Sequence, residues 1–181
     1  MDKAYLEALV QTFGEENGVA VRLSLEMPHG YETANGTYDD HTVFLNGVLL
    51  QDAPEHAVLF YLYHELRHAM QYLHPERCSA AVRESLPYVV LYDGTCCRLD
   101  EDGERECRLD GGTEQFIDAY LGLPYEEDAN DYAYARACAL CGETEELRQL
   151  RDYWRPRRVW TAEEYRRLFR RIDEAVAEQA E

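Results

Sequence analysis

Residues 52–75 leave this chain few options. Leu59, Leu62, Leu66, Met70 and Leu73 recur at three- and four-residue spacing, the signature of an α-helix with one apolar stripe. Asp52 can cap its start, Glu55 completes a capping box three residues on, and Pro54 suits the first turn. His74-Pro75 closes it, because the residue before a proline avoids the helical region. Within the helix stands His64-Glu65-Leu66-Arg67-His68. His64 and His68 fall one turn apart on one face, away from the stripe, so the helix is predicted to pack on one side and present its histidines on another. Two imidazoles so placed can bind Zn²⁺ at about 2.0–2.1 Å each. Glu65 is rotated roughly 100° from the first of them, beside an open coordination position. There it can take a proton from a water whose pKa the metal lowers to about 7. The plain alternative is an amphipathic helix with two incidental surface histidines.

A catalytic zinc takes three protein ligands and keeps a fourth position for water. The third is expected from the run Glu126-Glu127-Asp128-Ala129-Asn130-Asp131-Tyr132-Ala133. Glu126, Ala129, Ala133 and Ala137 share one helical face, and small alanines let that face come close to the zinc helix. Glu126 is the first candidate and Asp128 the alternative, although Asp128 is predicted to point roughly 200° away from Glu126. Asn130, one turn after Glu126, could steady a ligand histidine from outside the coordination sphere. Tyr132, Tyr134, His56 and Arg136 are candidates to stabilise an oxyanion. An acidic helix start also arises simply because carboxylates favour the N-terminal dipole.

The rest of the chain reads as short mixed elements. A helix is expected over 3–14, leaving at Gly14 and Gly18, and strands over 19–25 and 41–46, with a loop between that carries Tyr31 and Tyr38. Residues 79–86 read as helical, and Asp102-Gly103 as the turn of a hairpin within about 93–112. Helices follow over 113–121, 125–141 and 143–153. A last one begins at the capping box Thr161-Ala162-Glu163-Glu164. The expectation is an α+β fold, mainly helical, with a small antiparallel sheet against the zinc helix. Residues 1–142 would form the zinc domain and 143–181 a helical extension packed on it.

Composition narrows the function. No run approaches 18 apolar residues, so no transmembrane helix is expected. The N-terminus lacks a basic segment followed by an apolar one, which predicts a cytoplasmic protein. A net charge of −18 argues against a general nucleic-acid surface and favours basic peptide or protein partners. The charge is uneven: residues 143–181 hold nine arginines against ten acids. That arginine-rich tail could dock an acidic partner or the chain's own acidic body, and the charge asymmetry favours the second. Six cysteines are too few for a disulfide scaffold. Cys97, Cys107, Cys138 and Cys141 could make a second, structural zinc site, but small buried side chains are the default reading.

The order helix, strand, glycine-containing loop, strand ending in Leu45-Asn46, His-Glu-Leu-x-His, then a helix with Glu-x-Asp-Ala-Asn-x-Tyr-Ala resembles the ImmA/IrrE-like metallopeptidases, zinc enzymes of bacteria and mobile elements. The resemblance covers roughly residues 4–74 and 124–140. It implies a zincin-like fold, with His64, His68 and Glu126 as zinc ligands and Glu65 as catalytic base. It also implies that the strand over 41–46 is the edge on which an extended substrate would lie. The chain departs from the family in its link, since 57 residues separate His68 from Glu126. The resulting expectation is a zinc metalloendopeptidase. The alternative is a catalytically silent, zinc-stabilised regulatory or protein-binding module, for which Glu65 would have no use.

Overall fold

A computed structural model describes residues 2–101 and 103–179; Asp102, half of the expected Asp-Gly turn, lies outside the described residues. The fold is α+β and mainly helical, with two three-stranded sheets. Its residues group into two compact units, 2–77 with 128–153 and 78–127 with 154–179.

The first unit is built round one helix. It contains α1 (Lys3–Asn17), β1 (Arg22–Ser24), β2 (Gly36–Asp39), β3 (Thr42–Leu45), α2 (Glu55–Leu73), a 3-10 turn (Pro75–Arg77), all but the first turn of α5 (Pro124–Cys141), and α6 (Glu145–Tyr153). Helix α2 carries the His-Glu-x-x-His run and lies against β2 and β3, with α1 and α6 also beside it. Val58, Leu59, Phe60, Leu62, Tyr63, Leu66, Ala69 and Met70 are all buried. These residues fall on most of the helix's circumference, so α2 is a central helix rather than the one-sided helix its stripe suggested. It starts without a side-chain cap: Pro54 is the N-cap, and the capping box expected from Asp52 and Glu55 does not form. Burial supplies the stability that the cap does not. Its C-terminal end falls as predicted, with the His74 N–H returned to Met70 O.

The sheet beside α2 has the order β1-β3-β2 and is mixed: β1 runs parallel to β3 and β2 antiparallel to it. Strand β3 is therefore central, so the segment 41–46, expected to be the substrate edge, has both sides paired. β2 is an edge strand and also meets α2. It falls within the expected loop, whose Pro28, Gly30, Asn35 and Gly36 are turn formers. In the fold Asp40 and His41 make a two-residue hairpin turn, both with positive φ (37° and 59°), a conformation that aspartate tolerates better than most residues. Helix α1 passes through Gly14 and ends at Gly18, which adopts the left-handed conformation at φ 69°. A Cβ on Gly14 would stand 2.7 Å from Val19 O, so the returning chain needs a glycine there.

Asn46, at the end of β3, is buried and organises the approach to β2. Its Nδ2 donates to Glu32 O and Ala34 O, both at 2.9 Å, and its Oδ1 accepts from the N–H groups of Val48 and Leu49 at 3.2 and 3.1 Å. One side chain thus satisfies two donors and two acceptors of irregular backbone.

The second unit holds α3 (Ala80–Ser85), β4 (Tyr88–Val90), β5 (Thr95–Asp100), β6 (Gly103–Arg108), α4 (Thr113–Leu121), the first turn of α5, and α7 (Ala162–Glu178). Its sheet is antiparallel in the order β4-β5-β6, and β5–β6 is the expected hairpin. Helix α7 lies on β5 and β6 with Leu168, Phe169, Ile172 and Val176 buried, and starts with the Thr161–Glu164 capping box. Tyr88 stacks on Phe169 at 4.1 Å between ring centroids.

Asn46→Ala is expected to lower the unfolding free energy by about 1–3 kcal/mol, because it removes four hydrogen bonds made by one buried amide. Denaturant unfolding measures this, and a loss below about 1 kcal/mol would mean that the loop 32–35 is held otherwise.

Candidate metal centre

The site grows from the 3.6-residue repeat of α2. His64 and His68 turn the same way, their rings 4.5 Å apart and nearly perpendicular, with Nε2 of each facing the other at 2.9 Å. Glu126, in the first turn of α5, joins them: one ligand atom from each of the three residues lies within 4.8 Å of the other two. Among the described residues this is the one group of three or more histidines, cysteines or acids so gathered, and it could hold a metal ion. Glu126 and His68 are buried and His64 half-buried. Asp128, the alternative ligand, is not in the group.

Asp128 is engaged with α2 instead. Its carboxylate takes Arg67 in a two-pronged ion pair, Nε to Oδ2 at 2.7 Å and Nη2 to Oδ1 at 3.0 Å. Gln71 Nε2 also donates to Oδ2 at 2.7 Å. Asp128, roughly 200° round α5 from Glu126, thus meets α2 through Arg67 and Gln71. The side chains of α5 that reach α2 include Asp128, Tyr132 and Arg136, a stripe at four-residue spacing. Ala129, Ala133 and Ala137 are fully buried beside that stripe.

Gln71 is the residue that sequence reasoning missed. It is fully buried, and its Oε1 lies 2.8 Å from His68 Nδ1. The signal was present, since Gln71 follows His68 by three positions and so shares its face. Asn130, expected to steady a histidine, is buried on α5, but the partner that His68 Nδ1 faces is Gln71.

Glu65 is buried, at 6% exposure, with its carboxylate against the edge strand. A Cβ placed on Gly36 would come within 2.9 Å of both Cγ and Oε1 of Glu65, and 3.0 Å of Phe44 O. Only glycine lets β2 lie so near that side chain.

Tyr132, Arg136 and Tyr134, three of the oxyanion candidates, each contact other side chains. Tyr132 packs edge-on to Phe13 and Tyr63, with the Arg67 guanidinium 5.2 Å above its ring, and burial raises its pKa. Arg136 lies over Tyr63 and pairs with Glu16 at 3.7 Å. Tyr134 donates to Glu143. The cysteines are free thiols, and burial pushes Cys96 and Cys97 up to about 12, so both stay protonated at neutral pH.

No helix among the described residues is long and apolar enough to cross a membrane. Comparison of the chain with protein-family models, with curated proteins and with solved structures finds no match.

Metal analysis of the purified protein is expected to find one divalent ion per chain. His68→Ala and Glu126→Ala are each expected to lose it. Retention of the ion by both variants would place it elsewhere.

Proposed function

We propose that this chain is a zinc-dependent metallopeptidase of the His-Glu-x-x-His type, acting on peptides or proteins in the cytoplasm. One observation carries the reading: two imidazoles and a carboxylate converge within 4.8 Å while a second carboxylate, Glu65, lies buried against an adjacent edge strand. Two nitrogens and one oxygen suit zinc, and three protein ligands are the number found where a position is left for chemistry. A purely structural site would be closed by a fourth protein ligand. The resemblance to the ImmA/IrrE-like metallopeptidases assigns the same four residues.

Zinc, when bound, acidifies a coordinated water and polarises a carbonyl group. His64, His68 and Glu126 would hold it. Glu65 would accept a proton at a carboxylate oxygen as water attacks the peptide carbonyl, then return it to the leaving nitrogen. Its burial keeps bulk water from competing for that proton. Strand β2 offers its open edge to an extended peptide, which could pair with it through backbone hydrogen bonds as an added strand. The negative charge of the chain, −18, favours basic substrates.

Glu65→Gln should retain zinc and lower peptide cleavage by about 10²–10⁴-fold. A parent protein that carries zinc yet cleaves nothing in a broad peptide screen would favour the silent binding module instead. Gly36→Ala should also retain zinc, but its Cβ would displace the Glu65 carboxylate and reduce kcat by about 10²-fold, with a smaller effect on KM. An unchanged kcat would detach β2 from the chemistry.

A further inference from the structure

Gln71 has no role in coordination, yet it is fully buried beside a candidate ligand. An amide can face His68 in two ways, and its other partner selects between them. The Asp128 carboxylate, gripped by Arg67 through two bonds, is an acceptor only. It lies 2.7 Å from Gln71 Nε2, so the amide must turn its NH₂ toward Asp128 and its carbonyl toward His68. At 2.8 Å from that carbonyl, His68 Nδ1 must be the donor. A neutral imidazole carries one N–H. Nε2 is therefore the bare nitrogen, and it is the one that faces His64.

The geometry points to a hydrogen-bond relay, Asp128 to Gln71 to His68, that fixes the tautomer of His68 and thereby sets the affinity of the centre for a divalent cation. The inference rests on the metal-centre reading above. Asp128 and Gln71 are positioning residues: neither belongs to the ligand group, and both act through His68. Such outer partners commonly change metal affinity by about 10–100-fold. Without Asp128 as acceptor the amide can reverse. Its NH₂ then meets Nδ1, the proton moves to Nε2, and the nitrogen facing the metal loses its lone pair.

Two readouts test this, and one needs no metal. Ring ¹⁵N NMR of the metal-free protein at about pH 8, where an ordinary histidine is neutral, is expected to show His68 as the Nδ1–H tautomer. Competition against a chelator measures Zn²⁺ affinity. Asp128→Asn is expected to populate the Nε2–H tautomer and weaken Zn²⁺ binding by about 10–100-fold. Adding Gln71→Glu to Asp128→Asn should restore both. In that double variant the carboxylate introduced at position 71 accepts from His68 Nδ1, and the amide introduced at position 128 donates to the same carboxylate. A merely structural role for these side chains predicts no such rescue. An Nε2–H tautomer in the parent protein overturns the relay without any variant. So does an Asp128→Asn protein unchanged in both readouts, or a double variant that folds but is not restored. A parent with the Nδ1–H tautomer that takes up no Zn²⁺ would instead sink the metal-centre reading.

Discussion

The contact on which the site depends is the grip of Arg67 on Asp128. It joins the middle of α2 to the start of α5 by two charge-assisted bonds, and Gln71 adds a third. Hydrogen bonds to charged groups contribute about 1.5–3 kcal/mol each, whereas exposed ion pairs contribute about 0–1. The pair is mostly shielded, with the Arg67 and Asp128 side chains 15% and 29% exposed. The many arginine–glutamate pairs on α7, such as Arg167–Glu163, are more than half exposed and count for little beside it. Because α5 is one continuous helix, fixing Asp128 also fixes where Glu126 falls two residues earlier.

A second constraint is the polarity buried with α2. Glu65, His68, Gln71, Glu126 and Asn130 are all more than nine-tenths buried. Buried charges are tolerated when paired, hydrogen-bonded or bound to a metal. Placing two carboxylates and two imidazoles on the inward parts of two helices costs stability that a divalent cation would offset. Strand β2 shapes the same region from the other side, held in place by Asn46 and admitted close to Glu65 by Gly36.

The second unit buries Cys78, Cys96, Cys97 and Cys107. Cys96 and Cys107 lie directly opposite each other on β5 and β6, both buried and both free thiols. Burial raises the pKa of each, so both are protonated, and therefore poor nucleophiles, at neutral pH. They fill the core together with Val90, Phe116 and Ile172, as small apolar side chains do.

Much was already determined by the sequence. The period of Leu59, Leu62 and Leu66 requires a helix, and that helix puts His64 and His68 on one face whatever surrounds it. Pro75 ends it, Thr161 starts another, and Glu126 is placed in the first turn of a third. These are local properties, set by spacing and backbone geometry within a few residues. Tertiary structure decided what lies across from what. It made β3 central and β2 the edge, buried α2 on most of its circumference, and set Asp128 against Arg67 and Gln71. Partners 57 to 61 residues apart in sequence, as Gln71 and Arg67 are from Asp128, meet only when the whole unit folds. No local rule of spacing carries information over that distance.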